Sequence, residues 1–138
     1  MGFLKLFRQF KKLIAPYPTK SYGRNLNLQE KEEIRRKWTE IEGLIKLGRP
    51  SNFKTAVFEA DKLLDHALKL LGYRGQTMGD RMKSISRSDF EKSFFDDMWQ
   101  AHKVRNEMVH NINYEVMDFE AKRVIEKFKR VLRELGVL

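Results

Sequence analysis

The end of the chain repeats apolar side chains every three or four residues, which is the spacing of one face of an α-helix. From about Asp118 to Leu135 charged residues fill the positions between them. The apolar stripe consists of Ala121, Val124, Ile125, Phe128, Val131, Leu132 and Leu135. Such a helix must pack its stripe against other apolar helix faces to keep it from water. The pattern therefore predicts one component of a helical bundle.

The same spacing recurs upstream, and no alternating strand pattern competes with it, so we expect an all-α fold. A first helix should begin at the N-cap Asn27 and end before Gly48 and Pro50. Its predicted buried face holds Ile34, Trp38, Ile41 and Ile45. A second helix should run from about Phe53 to Leu71. Its stripe holds Phe53, Val57, Ala60, Leu64, Ala67 and Leu71.

Two further helices complete a four- to five-helix bundle with short connections. A short one is expected at about 77–85. A longer one should open with a capping box formed by Ser88 and Glu91, continue to Val109 or His110, and precede the loop NINYEV. The predicted bundle domain covers residues 27–138.

The net charge of +9 is concentrated at the start of the chain. Residues 1–24 contain no acid and six bases, namely Lys5, Arg8, Lys11, Lys12, Lys20 and Arg24. Residues 1–15 are predicted to form a basic amphipathic helix, with Phe3, Phe7 and Phe10 on one side. Residues 16–26, with two prolines and a glycine, are predicted to be a linker.

A basic excess favours anionic partners. The N-terminal helix could lie on an anionic membrane, with Lys5, Arg8, Lys11 and Lys12 contacting lipid phosphates. It could instead clamp RNA, or pack on the bundle or on a second subunit. No apolar run approaches the roughly 20 residues of a spanning helix, and the start makes a poor secretory signal. The expected location is the cytoplasm, with peripheral membrane association left open.

Several classes of site find no support in the sequence. The absence of cysteine excludes disulfides, thiolate metal sites and a cysteine nucleophile. His102 and His110 are eight residues apart with no carboxylate on their face, so neither a metal nor another cofactor is expected. The segment RGQTMGD around Gly75 lacks the P-loop pattern and is predicted to be a turn and a helix start. Asp96 and Asp97 are expected on a solvated face, and His66 is expected at the surface or at the boundary of the core.

The helix predicted over residues 91–110 has a stripe that changes character along its length. Its members are Phe95, Met98, Trp99, His102, Arg105, Asn106, Val109 and His110. Burying the polar ones without partners would cost about 1–3 kcal/mol each. They should therefore form a polar network or line a cleft, unless the helix end simply leaves the core and His110 interacts with the C-terminal dipole.

The hexapeptide Arg105-Asn106-Glu107-Met108-Val109-His110 resembles the R-x4–6-H motif of HEPN domains, which are helical bundles and usually dimers. The resemblance extends over about residues 26–138, since the motif lies at the end of a late helix, before a loop and a final helix. It implies a metal-independent ribonuclease of the toxin or defence type, an RNA-binding domain, or a scaffold without catalysis. A homodimer would line one cleft with both motifs.

The residue types fit this chemistry. Histidine suits proton transfer near neutral pH, and arginine offers a fixed fork of donors to phosphate oxygens. We therefore expect His110 to transfer protons, Arg105 to bind the scissile phosphate, and Asn106 to orient His110 or hold a phosphate oxygen. His102 is expected to support them. RNA and an antitoxin or nucleotidyltransferase are the expected partners. The alternative is a non-catalytic dimeric adaptor, tethered to membrane through residues 1–14.

Overall fold

A computed structural model describes residues 25–138. The helices are α1 (Leu28–Lys46), α2 (Pro50–Leu70), α3 (Met78–Lys83), α4 (Lys92–His110) and α5 (Asp118–Glu134). Within this range every regular element is a helix, which confirms the all-α helical bundle. The helix predicted over residues 1–15, with Lys5, Arg8, Lys11 and Lys12, lies outside the described residues. Most of the predicted linker also lies outside them. Its last two residues, Asn25 and Leu26, are described, and Leu26 is buried in the core.

Helix α2 is the centre of the bundle, because it packs against each of the other four helices. Helix α5 packs against both α2 and α4. The predicted stripes of α2 and α5 are buried along their full length, so both predictions are confirmed. The core also contains Trp38, Phe94 and Met98. This packing places α4 across α2 and brings their polar residues together.

The ends of α1 follow from local chemistry. Asn27 Oδ1 accepts the Glu30 amide at 2.8 Å, and Glu30 Oε1 accepts the Asn27 amide at 3.0 Å, which confirms the predicted N-cap. After the helix, Gly48 has a φ of +70°, in the left-handed region that glycine tolerates best. Pro50 was predicted only to end α1, but it also starts the next helix. It is the first residue of α2, where a missing amide hydrogen costs nothing, so α2 begins three residues before the predicted Phe53.

The start of α4 differs from the prediction. Its N-cap is Glu91, without a side-chain cap, and the predicted box of Ser88 and Glu91 is wrong. Ser88 lies in a turn, where its hydroxyl pairs with that of Ser86 at 2.9 Å. Phe90 stacks on Phe94 at 4.0 Å between ring centroids and also meets the Phe95 ring. This aromatic contact directs the chain into α4, as a hydrophobic staple does.

None of the helices in residues 25–138 combines the length and the apolar character that crossing a membrane requires.

Candidate functional site

A buried hydrogen-bonded pair of polar side chains joins α2 to α4. The Asp61 carboxylate is 2% exposed, and its Oδ1 lies 2.8 Å from Nδ1 of His102, which is 8% exposed. Because an ionised carboxylate only accepts hydrogen bonds, Nδ1 is the donor. The carboxylate therefore sets the ring orientation and leaves Nε2 as the second nitrogen of the imidazole.

The same carboxylate also holds the arginine of the motif. Arg105 Nε lies 3.4 Å from Asp61 Oδ2, and Arg105 Nη1 donates to Asn106 Oδ1 at 3.0 Å. The Arg105 side chain remains 38% exposed. Asp61, His102, Arg105 and Asn106 therefore form one continuous network, called here the Asp61 network. It is buried at Asp61 and reaches the surface at Arg105.

His110 lies apart from the Asp61 network. It is the last residue of α4 and is exposed. The predicted stripe is also wrong in its last turn, because Val109 is 51% exposed whereas Met108 is buried. The structure thus brings together Arg105, Asn106 and His102, and places His110 at the open end of the same helix.

Asp61 is a site residue that the sequence interpretation missed. It lies four residues after Val57 and three before Leu64, so it occupies the buried stripe of α2. A carboxylate on such a stripe requires a buried partner, because leaving it unpaired in an apolar environment is costly. An acidic residue on an otherwise apolar stripe was therefore the feature of the sequence that could have identified Asp61. The identity of the partner depends on how α2 and α4 pack.

An open cleft of about 270 Å³ lies beside the Asp61 network. Helix α2 contributes five residues at helical spacing to its lining: Phe58, Glu59, Asp61, Lys62 and Asp65. Helix α4 contributes His102 and Arg105, and Met78, the first residue of α3, completes the lining. The cleft therefore joins the buried pair, the motif arginine and an exposed aromatic ring in one surface depression.

Arg81 links the turn before α3 to this wall of the cleft. It donates to both carboxylate oxygens of Asp65, at 2.7 and 3.0 Å, and to the Gly75 carbonyl at 2.6 Å. Burial raises the pKa of Asp65, but Arg81 and Lys69 outweigh that effect and lower it overall. The segment RGQTMGD is therefore a turn and a helix start, as predicted. Arg81, the next residue, connects this turn to Asp65 and so stabilises the cleft wall.

Gly75→Ala is expected to destabilise the fold by about 1–3 kcal/mol, because the new Cβ would lie 2.5 Å from Asp80 Cβ and 2.7 Å from the Arg81 amide nitrogen. Gly79→Ala is the matched control. Its Cβ would meet only the Thr77 hydroxyl at 3.7 Å, and alanine is the better helix former. Urea denaturation of both variants measures the difference. Equal stability of the two variants would contradict the close contact.

The loop after the motif is anchored by Tyr114. Its hydroxyl donates to Glu120 Oε1 on α5 at 2.5 Å. This hydrogen bond, with burial, raises the pKa of Tyr114 to about 12. The bond fixes the segment that follows His110 relative to α5.

Tyr114→Phe is expected to lower the free energy of unfolding by about 1 kcal/mol at neutral pH, since one hydrogen bond is lost. Because the folded pKa lies above the unfolded value of about 10, the wild-type advantage is complete below pH 10. It should disappear as the pH rises from 10 to 12. Urea denaturation of both proteins across this range tests the prediction, and a constant difference would contradict it.

Other predicted features have clear outcomes. His66 is exposed, as predicted. Asp96 is half-exposed and pairs with Lys92, but Asp97 is only 19% exposed and makes a two-point ion pair with Arg130 of α5 at 3.0 and 3.2 Å. Asp97 thus joins two helices, and the prediction of a solvated face is wrong for it. Among residues 25–138 no group of three or more potential ligands could hold a metal ion.

Comparison of the chain with protein-family models, curated proteins and solved structures finds no match, so the interpretation of the site depends on its own geometry and chemistry.

Proposed function

We propose that this protein is a dimeric RNA-binding domain that cleaves RNA without a metal ion, using Arg105 and His110. The observation that carries the proposal is the Asp61 network, which holds a half-exposed arginine on the helix that ends with an exposed histidine. The similarity of residues 105–110 to the R-x4–6-H motif of HEPN domains supports the same assignment.

The chemistry requires a cation and two proton-transfer groups. The 2′-oxygen attacks phosphorus while the P–O5′ bond breaks, which yields a 2′,3′-cyclic phosphate and a 5′-hydroxyl. One imidazole takes the 2′-hydroxyl proton, and an imidazolium gives a proton to the departing 5′-oxygen. Arg105 stabilises the charge on the non-bridging oxygens. Asn106, bonded to Arg105, keeps the guanidinium in place.

The spacing of the histidines supports a dimer. His102 and His110 are eight residues apart on one helix, or about 12 Å along its axis, which is too far for both to act on one phosphate. His102 is also committed to Asp61. A second His110 from another copy of the chain supplies the missing proton-transfer group.

Exposed apolar side chains in and just after the motif support the same pairing. They are Val109, Ile112, Met117 and Phe119, which are between 51% and 89% exposed. Larger areas of exposed apolar surface are typical of protein interfaces. In a two-fold dimer these residues of one copy would meet the same residues of the other.

The test is incubation of the full chain with mixed cellular RNA in EDTA, beside Arg105→Ala. We expect the wild type to produce 2′,3′-cyclic phosphate ends and the variant to lose at least about a hundredfold in rate. Lys103→Ala is the matched control, because Lys103 is exposed two residues earlier on α4. Intact RNA from a folded dimer would overturn the nuclease and favour the adaptor, with liposome flotation of chains with and without residues 1–14 as the next measurement.

A further inference from the structure

The cleft beside the Asp61 network is unsuited to a phosphate group. Its lining holds two cations, Lys62 and Arg105, against the three acids Glu59, Asp61 and Asp65. The Arg105 charge is partly neutralised by Asp61 at 3.4 Å. A ligand group in the interior should therefore be neutral, whereas an anion can be met only where Arg105 reaches the surface.

The size and walls of the cleft suit one flat ring system. A volume of about 270 Å³ is just below the roughly 300–1,000 Å³ of pockets that bind drug-sized molecules. Phe58 is 36% exposed, unusually open for a phenylalanine, and Met78 offers a second apolar contact. Exposed aromatic rings are the usual stacking platforms for bases of single-stranded RNA.

The carboxylates that line the cleft determine which RNA base could form hydrogen bonds there. Asp61 is occupied by His102 and Arg105, and Asp65 by Arg81 and Lys69. Within the described part of the chain, Glu59 has no such partner. A free carboxylate binds best to two adjacent N–H donors. Guanine alone among the RNA bases offers such a pair, on N1 and on its N2 amino group.

We propose that the cleft binds a guanine base of the RNA, with Phe58 stacked on the ring and Glu59 accepting from N1–H and the N2 amino group. This inference depends on the proposed function for RNA as the ligand. The phosphate on the 3′ side of that guanosine lies on Arg105. The Asp61 network thus joins base recognition to phosphate binding, and cleavage follows guanosine.

The binding test uses the full chain and four probes: the 3′-monophosphates of guanosine, inosine and uridine, and inorganic phosphate. The chain has three histidines, so the imidazole proton signals of His66, His102 and His110 can be assigned with single His→Gln variants. His102 lines the cleft, whereas His66 and His110 do not. We expect guanosine 3′-monophosphate to shift the His102 signal and inosine 3′-monophosphate, which lacks the N2 amino group, to bind about tenfold more weakly.

Two variants separate the stacking of the base on Phe58 from its hydrogen bonds to Glu59. Phe58→Ala should weaken binding of the guanosine nucleotide by about 5- to 100-fold. Its control is Leu28→Ala, because Leu28 is a large apolar side chain on α1 that is 70% exposed and lies outside the cleft lining. Glu59→Gln should remove the preference for guanosine over inosine. Glu32→Gln should keep it, because Glu32 is an exposed carboxylate of α1 outside the cleft lining.

Equal binding of the uridine nucleotide, a His102 shift from inorganic phosphate as large as that from the guanosine nucleotide, or unchanged binding by Phe58→Ala would overturn the inference. The two proposals can fail separately. Guanosine binding with intact RNA would overturn the nuclease and leave the cleft assignment standing. Metal-independent cleavage without a preference for guanosine would leave the nuclease standing and overturn the cleft assignment.

Discussion

Asp61→Ala is expected to destabilise the protein by about 3 kcal/mol, at the lower end of the range for breaking a buried ion pair. The carboxylate is 2% exposed and serves both His102 and Arg105. Its loss leaves the buried imidazole without its acceptor. Arg105 reduces the cost, because its side chain is 38% exposed and can turn toward water.

The measurement is urea denaturation with a fixed m-value, and Asp96→Ala is the control. Asp96 also pairs with a base, Lys92 at 2.7 Å, but that pair is exposed, so its loss should change stability by less than about 0.5 kcal/mol. A double-mutant cycle of Asp61→Ala with His102→Ala should give a coupling energy of about 1–3 kcal/mol. Similar losses for Asp61→Ala and Asp96→Ala would contradict the structural importance of the buried pair.

Periodic features of the fold were predictable because they depend only on spacing. The stripe of α5 from Ala121 to Leu135 must be buried by some neighbour, whatever its identity. The N-cap at Asn27 was predictable because its partner, Glu30, is three residues away. Ser88 illustrates the limit of local patterns. It stands three residues before Glu91, as a capping box requires, but the packing of Phe90 on Phe94 starts the helix later.

The candidate site was predictable only in part, for a related reason. Arg105, Asn106 and His102 share one helix, so a helical wheel groups them. Asp61 is 41 residues before His102, and only the crossing of α2 and α4 brings the two side chains to 2.8 Å. The last turn of α4 was misassigned because the wheel assumes one neighbour along the whole helix. Near its end the buried side of α4 shifts, since Met108 is buried and Val109 is exposed.

His110→Ala is expected to abolish RNA cleavage while changing stability by less than about 0.5 kcal/mol. The small structural effect follows from exposure, since His110 lies at the end of α4 outside the Asp61 network. His66→Ala is the control, because this histidine is also exposed. The two variants should unfold at similar urea concentrations, and only the first should lose cleavage. A loss of 1–3 kcal/mol in His110→Ala would instead indicate a structural polar contact.

Mixing subunits tests whether both copies of His110 act on one phosphate. If acid and base come from different copies, a dimer with one wild-type and one His110→Ala subunit is inactive. After unfolding and refolding an equal mixture, about one quarter of the dimers retain both histidines, so the rate falls to about one quarter of that of an all-wild-type sample at the same total concentration. If each copy cleaves alone, the rate falls only to about one half. The quarter value would establish a shared cleft, because a site complete within one chain responds linearly to the wild-type fraction.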